Sequence, residues 1–361
     1  MAAISVGQTS FTLSKMLDHA FRRCKVPAQK ITSELQATGR ECMQLILMDL
    51  QNRKKPMWCK EKLLLPIYQG EAEVMLPDGT IDVIKAFYRT VPRVGDSYNT
   101  SAGGTASLAD DGDLSTSCTQ TAPNGYISVQ SFSLTTINTV GLMPNGDQFY
   151  NLVFEASNDG VTWTLVQTID PPFGEVTSFY PDKKWAWYDV VSPASALFFR
   201  VRETSGGTLN LRELVVCSQP LDTLMYRMNH DQYMLQPNKV AQGRPLQYWL
   251  NRQMDNPVIT LWPPPSFAEI LNCLYVWRSR YIADVQDVNQ PIEVPRRWYE
   301  GMTWKLADSI YKELSPEMTD PSVAPAILEG LQTSWSPMMA EERDDSPIQV
   351  TFNLRRYTRA R

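Results

Sequence analysis

Side chains that could perform acid–base or nucleophilic chemistry are sparse in this sequence and form no known motif. The chain has two histidines, His19 and His230, and neither lies in a GxSxG, HExxH, Walker or GxGxxG pattern. The carboxylate pairs Asp110-Asp111 and Asp344-Asp345 are adjacent in sequence. Neighbouring carboxylates need not converge as a general acid and base must. We therefore expect no catalytic residues and no enzymatic activity.

Trp185 and Trp187 are the aromatic pair with the clearest geometric meaning. Residues two apart on a strand share a face, so both rings would project together. They could stack on a ligand or partner, or they could fill the sandwich. Both interpretations stay open from sequence, and we take Trp185 and Trp187 as candidate ligand-binding residues.

The composition indicates a folded chain made of two unlike parts. With 361 residues, 43% of them hydrophobic and 20% charged, the chain can form two or three domains with cores. Residues 96–219 hold 5 Lys and Arg against 13 Asp and Glu, whereas the remainder has a small basic excess. This contrast favours an acidic unit placed within a different scaffold.

Neither a signal peptide nor a membrane span is predicted. The N-terminal residues have no basic segment that leads into an apolar run, and no stretch approaches 18 apolar residues. The six cysteines are widely spaced without a CxxC pair. Such spacing indicates reduced thiols in a protein assembled in the cytoplasm.

Helices are predicted at both ends of the chain. The strongest pattern covers 294–314, where apolar residues recur at spacings of three and four, at Tyr299, Met302, Leu306, Ile310 and Leu314. We expect this helix to dock on a long helix over 28–52. Further helices are predicted over 10–24 and 321–343.

Strands fill the middle of the chain. Segments 61–68, 73–76 and 81–89 follow the first helices, and 258–262 and 273–280 are expected to pair as a hairpin around three prolines. Between these groups, residues 95–219 show short β-rich runs separated by Gly, Ser, Thr and Asn turns, which is typical of a β-sandwich.

The predicted fold class is α+β. It is a helical bundle with a small β domain, interrupted by an inserted all-β jelly-roll or β-sandwich domain. We divide the chain into the first part of the outer domain (1–94), the insert (95–219), the second part of the outer domain (220–345) and a C-terminal tail (346–361).

Five segments in this order resemble the head-to-tail adaptor, or connector, proteins of short-tailed bacteriophages. They read KLLLPIYQGEAEVMLPDGTIDVIKAFYR, MNHDQYMLQPNKVAQGRPLQYWLNRQ, PVITLWPPP, LYVWRSR and VPRRWYEGMTWKLADSIY. The resemblance covers about 1–92 and 221–361. It implies a ring, usually of twelve copies, at the head–tail junction of a virion. The portal would lie above it and the tail nozzle below, and DNA would pass through without sequence-specific binding.

The same resemblance implies a C-terminal extension that reaches the portal, here residues 346–361. Apolar residues alternate in its first half and can add as a strand to a partner's edge, while its arginines can pair with carboxylates. The candidate portal-binding residues are Ile348, Val350, Phe352, Arg355, Arg356, Tyr357 and Arg359. The alternatives are a disordered basic tail or a tail that touches DNA phosphates.

The insert carries a second resemblance. The runs FEASNDGVTWTLV and FFRVRETSGGTLNLRELVV are similar to the discoidin, or galactose-binding-like, β-sandwich. Relatives often hold calcium in an early DGDxxT turn with a late glutamate, which implies Asp111, Asp113, Thr116 and Glu213 here. Oxygen donors of this kind suit a hard cation. The alternative is a tight Asp/Gly loop without metal, and we expect no cofactor beyond this possible structural calcium.

Two functional hypotheses follow from these resemblances. The first is a structural virion protein whose ring joins the portal to the tail nozzle, with the insert directed outward toward capsid, tail fibre or a host glycan. The second is a carbohydrate-binding protein that acts through the inserted sandwich. Glycan binding by residues 95–219 that is lost on Trp185→Ala or Trp187→Ala would favour the second.

Overall fold

The computed structural model describes residues 11–53, 57–95, 97–101, 103–145, 151–169, 185–253, 256–285, 287, 289–314 and 320–341. The chain forms two compact units. One combines Met1–Cys59 with Ile282–Arg361, and the other is Lys60–Tyr281. The domain limits expected near 94 and 219 both fall inside the second unit, and they stay a prediction.

The α-helices are, in chain order, α1 (Leu13–Arg23), α2 (Ser33–Arg53), α3 (His230–Met234), α4 (Tyr299–Glu313), α5 (Ala324–Gly330) and α6 (Ser336–Glu341). All except α3 belong to the first unit. The helices predicted over 10–24, 28–52, 294–314 and 321–343 are confirmed. A π-helical turn, Leu331–Trp335, joins α5 to α6.

The core of the first unit forms where α4 meets the two N-terminal helices. Met302, Leu306 and Ile310 of α4 are buried, as the apolar spacing predicts. A Cβ added at Gly39 of α2 would lie 2.5 Å from Leu17 Cδ2 of α1 and 3.5 Å from Ile310 Cδ1. The partner of α4 is therefore α1 as well as α2. The regular helical bundle that the sequence predicts is not evident.

The strands found among the described residues all lie in the second unit. They are β1 (Lys60–Pro66), β2 (Glu73–Met75), β3 (Thr80–Thr90), β4 (Ser97–Thr100), β5 (Cys118–Thr119), β6 (Tyr126–Thr136), β7 (Thr139–Pro144), β8 (Leu152–Ser157), β9 (Thr164–Thr168), β10 (Ala186–Asp189), β11 (Ser195–Glu203), β12 (Asn210–Cys217), β13 (Leu221–Leu224), β14 (Tyr226–Met228), β15 (Gln247–Asn251), β16 (Val258–Trp262) and β17 (Cys273–Arg280).

Two four-stranded sheets, which we call the scaffold sheets, are built from strands outside 97–217. Their strand orders are β1-β17-β3-β13 and β14-β15-β16-β2. One buried cluster joins the two sheets, with Tyr88, Tyr248 and Ile259 among its members. The expected hairpin between 258–262 and 273–280 is wrong, because β16 pairs with β15 and β2 whereas β17 pairs with β1 and β3.

The strands between residues 97 and 217 form two further antiparallel sheets, which we call the sandwich. Their orders are β10-β7-β12-β5 and β4-β6-β11-β8-β9. One hydrophobic cluster containing Phe154, Phe199 and Leu214 fills the sandwich. Its flanking residues Thr90 and Leu221 are register partners in β3 and β13. The chain therefore leaves the scaffold and returns to it on neighbouring strands, so an inserted module leaves the scaffold sheet continuous.

Membrane insertion through a helix finds no support in the described part of the chain. None of its helices combines the length and the hydropathy needed to cross a bilayer.

Candidate ligand-binding cleft

Arg89 links the sandwich to the scaffold. It lies near the end of β3, and its Nε and Nη2 atoms donate to the two carboxylate oxygens of Asp222 in β13, at 2.7 and 2.9 Å. Nη1 donates to Asp189 Oδ1 in β10 at 2.7 Å, and the guanidinium lies 4.4 Å from the ring centre of Tyr275. Burial disfavours the charged form of Arg89, but hydrogen bonds and charges from Asp222 and Asp189 outweigh it and raise its pKa.

Trp185 and Trp187 fill the contact between the sandwich and the scaffold. The two rings stack with centroids 5.1 Å apart, and they are 1% and 6% exposed. They share a buried cluster with Tyr68 and Cys273 of the scaffold, and the backbone N–H of Trp185 donates to the hydroxyl of Tyr68 at 3.1 Å. The stacking of both rings on an external ligand is therefore wrong as a prediction. The alternative, that they fill the sandwich, is also wrong, because both rings belong to the cluster at the scaffold and not to the sandwich core.

The residue opposite Trp187 explains its burial. Gly141 of β7 is its register partner, and any Cβ at Gly141 would clash with the six-membered ring of the indole. Glycine therefore leaves the space in which the indole lies flat on the neighbouring strand. The signal in the sequence is a glycine within an otherwise apolar strand, which often marks such a close approach.

A cleft of about 1150 Å³ runs between the edge strand β1 of a scaffold sheet and the edge strand β10 of the sandwich. The scaffold side contributes Lys62, Leu64 and Asp78 to its wall, and the sandwich side contributes Gln167 and Asp189. The volume slightly exceeds the range of about 300–1,000 Å³ that is typical of small-molecule sites. Its mixture of apolar and polar groups is the composition that such sites share.

The carboxylate of Asp189 is the most defined polar group in this cleft. Its Oδ1 accepts from Arg89 and, at 3.3 Å, from the hydroxyl of Thr139. Its side chain is 44% exposed, and among the described residues no hydrogen bond to Oδ2 is found. Gln167 supports the same segment, because its Nε2 donates to the carbonyl of Asp189 and its Oε1 accepts from the backbone N–H of Val191. The carboxylate is thus held in place with one oxygen available.

The predicted calcium ligands lie close together but are satisfied by other groups. Asp111 Oδ2 accepts from the Thr116 hydroxyl at 2.7 Å, and Asp113 Oδ1 accepts from both the N–H and the hydroxyl of Ser115. Glu213 is fully buried, and its Oε2 accepts from Arg93 Nη2 at 2.6 Å.

Arg93 therefore supplies the positive charge beside Glu213. It also pairs with the carboxylate of Asp110 and donates to the backbone carbonyl of that residue. Burial raises the pKa of Glu213, although the charge of Arg93 and an N–H from Gly112 act in the opposite direction. Within the described ranges no group of three or more His, Cys, Asp or Glu side chains is arranged to hold a metal ion. As arranged, the four predicted side chains do not form a cation site, so calcium here stays a prediction that requires Arg93 to leave Glu213.

The predicted portal-binding residues Ile348, Val350, Phe352, Arg355, Arg356, Tyr357 and Arg359 lie outside the described residues. Their role stays a prediction. The described site residues that the sequence did not reveal are Arg89, Arg93 and Asp189. For Arg89 a signal existed, because this charged residue directly follows the apolar residues Phe87 and Tyr88 in a predicted strand.

Comparison with known proteins gives matches only at the level of three-dimensional structure. No protein-family model matches the chain, and no curated protein sequence matches it. A Clostridium perfringens carbohydrate-binding module in complex with GalNAc-β-1,3-galactose is 14% identical, covering 34% of this chain and 94% of the module, with a TM-score of 0.28. The family 32 module of AlyQ, in complex with 4,5-unsaturated mannuronic acid, is 19% identical over 36% of this chain and 100% of the module, with a TM-score of 0.29.

A third similar structure is the family 62 carbohydrate-binding module of Clostridium thermocellum Xyl5A. It is 20% identical over 36% of this chain and 98% of the module, with a TM-score of 0.30. TM-scores this low report a likeness over about a third of the chain and establish no function. Nothing in these comparisons points to a phage head-to-tail adaptor, so that resemblance stays a hypothesis.

Proposed function

We propose that this chain is a carbohydrate-binding protein that acts through the unit carrying the sandwich. The observation that supports the proposal is the cleft between β1 and β10, where a fixed carboxylate, an ammonium group and leucine side chains face one space. Saccharides present hydroxyl groups that both donate and accept hydrogen bonds, together with apolar C–H faces. A cleft with Lys62 and Leu64 on one wall and Asp189 on the other matches both features.

The test is direct binding of the full chain to saccharides. An immobilised array holds neutral galactosides, glucosides and mannosides beside oligomers of galacturonate and mannuronate, and the probe is labelled wild-type protein. We expect concentration-dependent binding to a subset of the array, abolished by heat denaturation of the protein. Absence of binding to every saccharide on the array would overturn the proposal.

The second candidate function is the ring-forming adaptor between a portal and a tail nozzle. The observation that favours it is a set of exposed apolar side chains on the edge strands β13 and β14 and on the segment between β14 and β15. Its residues are Leu221, Leu224, Tyr226, Met234, Leu235, Val240 and Leu246, each between 46% and 83% exposed. Strands β13 and β14 are also sheet edges, which are open to pairing with another chain.

This second proposal includes the location and partners that the resemblance implies. The chain would be a non-enzymatic virion protein at the head–tail junction, in about twelve copies, with capsid or tail fibre as further partners of the sandwich. DNA would pass through the ring without sequence-specific binding. Negative-stain imaging of the protein mixed with its portal is the test. Rings stacked on the portal would support the proposal, and a persistent monomer that never joins the portal would overturn it.

A further inference from the structure

We propose that the saccharide site is composite, with one wall from the sandwich and one from the scaffold, and that it selects neutral oligosaccharides. In this site Asp189 accepts hydrogen bonds from ligand hydroxyls, and Lys62 donates from the opposite wall. The inference rests on the proposed carbohydrate-binding function and assigns that function to specific residues.

Asp189 supplies the sandwich wall, and Arg89 is its positioning residue. Arg89 is anchored by both carboxylate oxygens of Asp222, so its Nη1 holds Asp189 Oδ1 at a fixed place. Oδ2, which makes no hydrogen bond within the described ranges, is then available to a ligand. A hydrogen bond to a charged acceptor is worth more than one between neutral groups. Trp187 also lines the cleft, and its buried indole N–H has no partner among the described residues.

The scaffold wall comes from the edge strand β1 and the turn after β2. Lys62 is exposed, and its Nζ lies 5.2 Å from the ring centre of Trp277, its register partner on the neighbouring strand β17. Leu64, which shares a strand face with Lys62, is half-buried and gives an apolar surface on which the C–H face of a sugar ring can pack. The carboxylate of Asp78 lines the same side.

The charge distribution selects the class of ligand. Among the described residues, Asp222 neutralises the charge of Arg89, which leaves Asp78 and Asp189 against the ammonium of Lys62. A uronate would add a further carboxylate to a cleft that already has an acidic excess, and like charges at such separations repel. Neutral hydroxyl groups avoid that cost and still satisfy acceptors and donor alike. The volume of about 1150 Å³ leaves room for more than one sugar ring.

The composite site differs from the expectation that the sandwich binds by itself. Lys62, Leu64 and Asp78 all lie outside residues 95–219, so the isolated segment would lack one wall. The experiment therefore uses the full chain and the saccharide array described above. Wild-type protein is compared with Asp189→Asn, Lys62→Met and the control Asp231→Asn, which removes an exposed carboxylate of the scaffold outside the cleft.

We expect Asp189→Asn to weaken binding by about ten-fold or more, since it removes a charged acceptor. Lys62→Met should weaken it by about three-fold to ten-fold and should leave the unfolding temperature unchanged, because Lys62 is exposed. Asp231→Asn should match wild type. Neutral oligosaccharides should bind more tightly than the uronate oligomers.

The outcomes separate this inference from the function on which it rests. If wild-type protein binds no saccharide, the proposed function fails. If it binds saccharides and both cleft variants bind like wild type, the function stands and the composite site is overturned. Tighter binding of uronate oligomers than of neutral ones would overturn the ligand class. Should Asp189→Asn fold poorly, Lys62→Met still decides the location of the site.

Discussion

Replacement of Arg93 by methionine tests the claim that this guanidinium serves as the cation of the sandwich. Methionine keeps much of the aliphatic length and removes the charge that pairs with Glu213 at 2.6 Å. Glu213 has no exposed surface, so its carboxylate would be left buried without a counter-charge. Removal of one partner from a buried ion pair typically costs about 3–5 kcal/mol.

The free energy needed to protonate Glu213 sets an upper limit on how much its unpaired carboxylate can destabilise the Arg93→Met variant. A glutamate takes up a proton at a cost of about 1.36 kcal/mol for each pH unit above its pKa, and its ordinary pKa is 4.5. The penalty from Glu213 therefore cannot exceed about 3.4 kcal/mol at pH 7, and it falls to about 0.7 kcal/mol at pH 5.

The sign of the pH dependence follows from the direction of the pKa shift. Loss of Arg93 raises the pKa of Glu213 further above its value in the unfolded chain, so the folded variant binds the extra proton. Stability linked to a raised pKa is present at low pH and is lost as pH rises through the folded-state value. The Arg93→Met variant should therefore approach wild-type stability at pH 5 and fall well below it at pH 7.

The assay is urea unfolding followed by tryptophan fluorescence at pH 5 and pH 7. Arg212→Met is the matched control, because Arg212 precedes Glu213 on the same strand and hydrogen-bonds to the neutral side chain of Asn145. We expect that control to lose less than about 1 kcal/mol at either pH. A loss below about 1 kcal/mol for Arg93→Met at pH 7, or a loss that does not shrink at pH 5, would refute the reasoning.

Urea unfolding can also be measured in the presence of calcium. With Arg93 beside Glu213, millimolar calcium should leave the urea midpoint of the wild-type protein unchanged. A ligand that binds only the folded state would raise it. A clear rise in the wild-type midpoint would show that the ion binds despite the guanidinium. Glu213→Gln combined with Arg93→Met should remove both the pH dependence and any response to calcium.

Three further predictions concern packing and thiols. Gly39→Ala should destabilise the first unit by about 1–3 kcal/mol, because its Cβ would lie 2.5 Å from Leu17 Cδ2. This clash outweighs the preference of alanine for helices. Urea unfolding checks the prediction, with Thr38→Ala as the control. Trp187→Ala should cost about 3–5 kcal/mol of stability in the same assay; unchanged stability with lost saccharide binding would restore the ligand-stacking interpretation. The cysteines are buried, and burial raises the pKa of the Cys24 and Cys42 thiols to about 12. We therefore expect no reaction with Ellman's reagent at pH 8 until urea is added. Rapid reaction of the native protein would contradict this prediction.

Helices and their buried faces can be predicted from the sequence, because they depend on the spacing of residues that are close together along the chain. The spacing that places Met302, Leu306 and Ile310 on one face of α4 depends only on the helical period, and all three are buried. Which helix covers that face depends on Gly39, whose missing side chain lets α1 reach α4. That close approach is a property of three segments together, so no single pattern could show it.

The sequence did not reveal the candidate site, because its residues come from separate parts of the chain. Arg89, Asp189 and Asp222 lie 100 and 33 positions apart along the chain, and each has an ordinary sequence context. The motif that did attract attention, the turn around Asp111, has the predicted side chains near one another. A residue outside that motif, Arg93, decides its electrostatics. Spacing identifies donors within a loop, but the counter-ion can come from any part of the fold.

The two arginines lie four positions apart on the segment that enters the sandwich, and each fixes it at a different place. Arg89 binds Asp189 on the edge strand β10 and Asp222 on the returning strand β13. Arg93 binds Glu213 on β12 and Asp110 in the loop before β5. With the tryptophan pair buried against Tyr68 and Cys273, these contacts hold the sandwich against the scaffold sheets as one body. A partner that binds the cleft would therefore act on the scaffold as well, which makes saccharide binding and a structural role in an assembly compatible within one chain.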